Sequence, residues 1–192
     1  MSKRLLVLGL LFFQLQLYGQ GGTKDNSVTI QIDAFDIVAK GISLWGNYTS
    51  NNNRVFIAGG RNELPDFLNP LSSSFVERRK YFVQAGYYRF LPRVKGLFVG
   101  AEVIFQQMEV AAKASTEVRE NQVVRIGPAL GYEWLLPIKD FDRLSLTPWI
   151  SQRLPLYSPK VPFSTLGENY KTADFNFVMG CNLGIRLGGG PN

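Results

Sequence analysis

The sequence predicts an all-β protein, an eight-stranded antiparallel up-and-down transmembrane β-barrel. Three observations lead there. A period-two alternation of apolar with small or polar residues recurs eight times, and the connections between these stretches alternate short and long. The face opposite each apolar row carries Gly, Ala, Ser, Asn and isolated charges, which suits a narrow lumen better than a surface in water, where Lys and Glu abound.

The first element is not part of that pattern. Met1-Ser2-Lys3-Arg4 is basic, Leu5 to Phe13 is an unbroken apolar run, and the chain turns polar before Gly21-Gly22, so residues 1–20 read as a secretory signal peptide and residues 21–192 as the barrel. The apolar run is about half of what a spanning helix needs. No cysteine stands near the cut to anchor a lipid, and losing Lys3 and Arg4 lowers the formal charge of +6 to +4. That charge is too thinly spread for a nucleic-acid binder.

Strands are expected at 27–33, 41–49, 54–61, 80–90, 97–107, 122–134, 143–153 and 175–187. In the last, Phe175, Phe177, Met179, Cys181, Leu183, Ile185 and Leu187 form one row, against Asn176, Val178, Gly180, Asn182, Gly184 and Arg186. Short turn-rich links follow the second, fourth and sixth strands, at 50–53, 92–95 and 137–142, and long ones follow the third, fifth and seventh, at 62–79, 109–120 and 154–172. The first connection, 34–40, has room for a single helical turn. An even strand count puts both termini at the short-link end, and closure of the meander removes two exposed edges. Pro128 and Pro148 fall inside strands and should mark bulges, because each lacks a ladder donor.

Alternation alone permits two barrels of opposite sense. A soluble secreted lipocalin-like barrel would turn its apolar face inward around an apolar ligand; a membrane barrel turns it to lipid. The membrane sense is favoured by the secretion signal, the loop asymmetry, and Tyr48, Tyr87, Tyr132 and Trp134, which lie on apolar rows near the short links where an interfacial girdle belongs. Against a uniformly polar lumen, Trp45, Phe82, Tyr88, Phe90, Phe98 and Trp149 fall on the inward parity. Arg89 falls on the lipid parity beside a short link, where its stem can snorkel.

Ile32-Asp33-Ala34-Phe35-Asp36-Ile37, Gly96-Leu97-Phe98-Val99-Gly100, Gly127-Pro128-Ala129-Leu130-Gly131-Tyr132-Glu133-Trp134 and Gly184-Ile185-Arg186-Leu187, behind a basic-apolar leader, resemble the small eight-stranded outer membrane β-barrel proteins of the Bacteroidota, a porin-like group of OmpA/OmpX-like size. The resemblance spans about residues 27–187 in loose patterns. It implies the fold and an outer membrane location in a Gram-negative cell envelope, and it implies no particular activity. The chain departs from the wider outer-membrane pattern in ending Gly188-Gly189-Gly190-Pro191-Asn192, without a terminal aromatic.

Composition narrows the chemistry. With no histidine, neither a Ser-His-Asp nor a Cys-His unit can be built, and with one cysteine no internal disulfide or ordinary zinc site is available. No enzyme activity and no cofactor are therefore expected, and Cys181 reads as a packed or lipid-facing thiol. By parity the lumen gathers Asp33, Glu102 and Glu133 with Arg125, Arg153 and Arg186, three acids and three bases read as a self-neutralising plug. The run Glu77-Arg78-Arg79-Lys80 precedes the fourth strand, and is either a solvated loop end or a contact for lipopolysaccharide headgroups. Asn47-Tyr48-Thr49 matches a glycosylation sequon but lies inside a strand. Leu64, Phe67 and Leu68 in one long loop, and Leu156, Tyr157 and Phe163 in another, are the candidate contacts to an envelope protein, unless they fold down over the barrel mouth. The expected partners are thus outer membrane lipid, lipopolysaccharide and such a protein.

Overall fold

The computed structural model describes residues 26–38, 40–63, 75–113, 116–136, 143–163, 168–172 and 176–188. The elements are β1 (Ser27–Asp33), α1 (Ala34–Val38), β2 (Ile42–Ser50), β3 (Asn53–Glu63), β4 (Phe75–Phe90), β5 (Leu97–Ala112), β6 (Val118–Tyr132), β7 (Trp134–Leu135), β8 (Leu144–Tyr157), β9 (Val161–Phe163), β10 (Glu168–Tyr170) and β11 (Asn176–Leu187). Antiparallel pairing runs from β1 through β6 to β8 and β11, and β11 closes on β1, giving an eight-stranded up-and-down barrel. β7 is a two-residue continuation of β6 beyond Glu133, and β9 with β10 forms a separate hairpin.

The pairing fixes the tilt. Starting at Leu187 and stepping from partner to partner through Val28, Tyr48, Val55, Tyr87, Ala101 and Pro128, then across to Gln152 by the register that holds on either side of the gap (Ile126 with Leu154, Ala129 with Ser151), the path returns to β11 at Phe177, ten residues from its origin. A climb of ten residues, about 33 Å, around a girth of eight strand spacings, about 38 Å, tilts the strands by about 40°. The nine residues of β2 then rise about 23 Å along the axis, close to the apolar height of outer-membrane barrels.

Burial follows strand parity, which is the physical reason these sequences form one closed sheet. In β2, Ser43, Trp45, Asn47 and Thr49 are buried while Ile42, Leu44 and Tyr48 are exposed. In β11, Asn182 and Gly184 point in, and Phe177, Met179, Leu183, Ile185 and Leu187 point out.

The structure alters the expected elements in three places. β4, β5, β6 and β8 are longer than their alternation suggested at the long-loop end, and β8 takes in Leu156 and Tyr157, which were expected in a loop. The parity of β4 flips where Lys80 is an extra residue opposite β5: Phe75 and Arg79 point inward before it, Phe82, Gln84 and Tyr88 after it. That flip hid the continuation of β4, and it places Glu77-Arg78-Arg79-Lys80 inside a strand instead of ahead of one. The expected bulges at Pro128 and Pro148 are not found. Pro148 keeps its pairing with β11 and lies where β6 passes to β7, while the ladder between β6 and β8 is interrupted at Gly127-Pro128, so each missing donor faces a gap. The register shift on that edge falls beside Pro155, with Leu156 as the extra residue.

Candidate functional site

The barrel interior is occupied from the short-link end upward by three groups of side chains. Nearest the short links, Glu133 takes Arg54 at 2.8 Å and Arg186 at 3.5 Å on one carboxylate oxygen. The Arg54 guanidinium also donates to Thr49 at 2.9 Å and lies over the Phe90 ring. These contacts compensate a cation that is only 1% exposed.

Next come packed rings: Trp45 against Phe56 and Trp149, Phe56 against Tyr88, and Tyr88 against Phe98, with centroids 4.6 to 5.6 Å apart. Facing glycines make room for the rings, since a Cβ at Gly131 would stand 2.2 Å from Phe98. Beside the rings runs a chain of amides. Gln31 Oε1 accepts from Asn47 at 3.0 Å and Asn182 at 3.4 Å, Gln31 Nε2 donates to Thr147, and Trp149 Nε1 donates to Asn182. Asn47, the first residue of the sequon, is thus buried and hydrogen-bonded inside.

The third group centres on Glu102. Arg153 Nε donates to its Oε1 at 2.6 Å, while Gln84 at 2.8 Å and Tyr88 at 3.1 Å donate to its Oε2. Arg153 also reaches Gln84 Oε1 at 3.2 Å and packs over Trp149.

Of the six charged residues expected in the lumen, Asp33, Glu102, Arg125, Glu133 and Arg153 are buried and Arg186 is half-buried, and they do not form three pairs. Only Glu102 with Arg153 and Glu133 with Arg186 are bridged among them. Arg125 donates to the Gln106 side-chain oxygen instead. Asp33 accepts the backbone N–H of Phe35 at 2.8 Å and of Cys181 at 3.3 Å, so it caps α1 and ties it to β11. Arg54 and Arg79, both buried, were missed as lumen residues. The parity of Phe56 and Ala58 in β3 points to Arg54, whereas nothing in the sequence reveals Arg79 behind the Lys80 bulge. Bases therefore outnumber acids on the inner face, and amides rather than carboxylates complete the network.

Above the barrel proper, the inner face of β4, β5 and β6 is covered by the β9–β10 hairpin. Phe163 and Tyr170 meet Phe75 at 4.9 and 5.5 Å, over Met108, Val110 and Val123. Tyr170 donates to Glu77 at 2.6 Å, and Asn121 donates to Thr172 at 3.2 Å. Burial, then the neighbouring Glu77, pushes the Tyr170 hydroxyl well above its ordinary pKa, so it stays a donor. Phe163 is consequently a core residue of this cap and not a free contact, because its ring finds an apolar surface directly beneath it. Leu156 and Tyr157 are exposed at its edge, beside a groove of about 370 Å³ lined by Gln107, Glu120, Gln122, Pro159 and Lys160. Leu64, Phe67, Leu68 and the signal segment lie outside the described residues.

The outer surface is inverted relative to a protein in water. Tyr48, Tyr87 and Trp134 ring the short-link end, Tyr81, Phe105 and Phe177 the other, with Ile57, Val83, Ile126, Leu130, Ile150 and Leu183 between. Tyr132 packs on Trp134 at 4.8 Å, and Arg89, half-buried, reaches Asn53 at 3.4 Å beside the short link. Above this band charged pairs stand on the outer face, where Lys80 bridges Glu120 at 2.8 Å and Glu109 at 3.3 Å. Those hydrogen bonds raise the pKa of Lys80, and the bond from Lys80 lowers that of Glu120.

No family model matches the sequence, and no curated protein does. Two solved structures share the architecture at low identity. Neisserial surface protein A (NspA) is 9% identical over 88% of this chain and 99% of its own, with a TM-score of 0.44. The N-terminal β-barrel domain of Pseudomonas aeruginosa OprF is 12% identical over 87% of this chain and 100% of its own, also at 0.44.

Proposed function

We propose that the chain is a non-enzymatic outer membrane barrel, delivered by cleavage of residues 1–20, that acts as a closed structural element of the envelope and presents its cap as a binding scaffold. One observation carries this reading: Leu44, Ile57, Val83, Ile150 and Leu183 face outward while Arg54, Glu102, Arg125 and Arg153 are buried within. Water as the outer solvent would demand the opposite distribution, and the lipocalin-like alternative would put the apolar row around a ligand. Side chains in ion pairs, amide chains and ring stacks fill the lumen, so steady conductance is not expected. The exposed Leu156 and Tyr157 at the cap edge are the surface offered to an envelope protein.

Cell fractionation tests the reading. The protein should be recovered in detergent-extracted outer membranes, with gel mobility that changes on boiling and no steady channels in planar bilayers. Recovery in a detergent-free periplasmic or medium fraction would overturn it.

A further inference from the structure

The outward rows of the barrel carry one residue that hydrocarbon does not suit. In β8, Ile150, Gln152 and Leu154 point out in succession, and all three are exposed. Among the described residues, Gln152 is the one amide on an outward row with exposed apolar residues on both sides of it along its strand. Resting on the membrane reading above, we propose that this face, built by β6, β8 and the start of β11, is where a second copy of the chain docks within the bilayer, with the two Gln152 amides hydrogen-bonded to each other.

Depth is the first argument. Gln152 pairs with Phe177, one of the aromatics that ring the long-loop edge of the apolar band. With strands tilted by about 40°, Phe177 stands about 3 Å above Gln152, and Leu154, two residues further up β8, about 5 Å above it. The amide therefore leaves the sheet inside the band, between Ile150 and Leu154 along its strand and beside Ile126 and Leu130 of β6. Its side chain has no hydrogen-bond partner among the described residues. The ladder is interrupted at Gly127-Pro128 next to it, so the backbone lacks partners across that edge as well. Hydrocarbon offers an amide nothing in exchange for its lost water, and a hydrogen bond to another protein surface is the remedy open to it.

Complementarity is the second, and it selects a second copy as the occupant. A carboxamide carries a donor and an acceptor side by side, so two of them related by a two-fold axis satisfy each other through a pair of N–H···O bonds. Shape agrees. Across the strands from Gln152 the outward positions are Pro128 on β6 and Ala101 on β5, both exposed and both short. On the other side of Gln152, Met179 of β11 projects outward two residues below Phe177. A two-fold along the membrane normal sets the β11 side of each copy against the β6 side of the other. Met179 and Pro128 lie at about the same height, both about 2–3 Å below Gln152, so the methionine falls on the low ground left by Pro128 and Ala101. Small residues of this kind let two surfaces in a membrane approach closely enough for the amides to meet.

The experiment uses the folded barrel in phosphatidylcholine vesicles, as Cys181→Ala/Lys95→Cys protein carrying a donor or an acceptor dye at the short-link end. Energy transfer between copies should exceed that of random encounter at the same density and should persist on dilution with lipid. Adding Gln152→Leu should raise the protein-to-lipid ratio at half-maximal transfer roughly tenfold, the loss of one reciprocal amide pair in lipid. Ile57→Ala, on β3 at the opposite wall of the barrel, should leave that ratio unchanged. Leucine at position 152 continues an apolar row, so this variant should insert as the parent does, read as a heat-modifiable band. Transfer in the parent no greater than random encounter would overturn the second copy as occupant, whether or not any variant folds and whether the face then meets another envelope protein or lipid alone. So would unchanged association of the Gln152→Leu protein, or an equal loss in Ile57→Ala. Failure of the parent to insert at all, with no heat-modifiable band, would overturn the membrane reading together with the docking face.

Discussion

Replacing Glu102 by Gln removes one charge and almost no volume, and the structure shows why the exchange is severe. Three donors converge on the carboxylate, Arg153 on one oxygen and Gln84 with Tyr88 on the other. An amide offers a single oxygen. If it faces Arg153, its NH₂ confronts the Gln84 NH₂, and Gln84 cannot turn around because its own oxygen receives Arg153 at 3.2 Å. Arg153, 2% exposed, then keeps its charge without a counter-charge in an interior that already holds Arg79 and Arg125. Leaving one partner of a buried pair uncompensated costs about 3–5 kcal/mol. That is about two to four orders of magnitude in the folding equilibrium. Replacing both partners, as Glu102→Gln with Arg153→Met, should bring stability back to within about 1 kcal/mol of the wild type, because the desolvated charge is gone. Urea titration of the barrel folded into phosphatidylcholine vesicles, followed by tryptophan fluorescence and by the heat-modifiable band, measures all four corners of the cycle. A Glu102→Gln protein as stable as wild type to within about 0.5 kcal/mol, with no coupling to Arg153, would refute a dry, paired interior and mean that water reaches the carboxylate.

Three further outcomes are expected. Leu183 is 42% exposed midway along β11, so Leu183→Arg should cost about 2–4 kcal/mol in vesicle unfolding, while Asn182→Ser should cost about 1 kcal/mol by freeing Trp149 Nε1; the reverse ranking would swap inside and outside. A Cβ at Gly127 would lie 1.8 Å from the Gln152 carbonyl, whereas one at Gly46 meets nothing nearer than 4.0 Å, so Gly127→Ala should destabilise by about 1–3 kcal/mol and Gly46→Ala should be silent in the same assay. On the outer face above the apolar band, the depressed Glu120 pKa means that its bridge to Lys80 is present above the ordinary carboxylate value of 4.5 and lost as the pH falls through the lower folded value. The raised Lys80 pKa keeps the bridge below the ordinary 10.5, with loss only as the pH rises through a higher value. A carboxyl NMR titration should show Glu120 returning toward 4.5 in Lys80→Met, and no change there would remove the bridge from the account.

The sequence by itself determined the strand count, the order of short and long links and which residues share a face, because period-two patterning is a local property written into each strand. Rows such as Phe177, Met179, Leu183 and Ile185 need no knowledge of their neighbours to be assigned one face. The lumen was legible only as a set of charges and inward rings such as Trp45, Tyr88 and Phe98, without their partners. That Glu133 answers to Arg54 as well as Arg186, and that Arg125 turns to Gln106, depends on the ten-residue stagger of the closed sheet, which brings together residues far apart in the chain. The cap was out of reach for the same reason. One extra residue, Lys80, reverses the parity of β4, and only the folded sheet shows Phe75 and Arg79 turned inward and Phe163 laid over them. The sequence set each strand's faces; closure, register and a single bulge decided which faces meet.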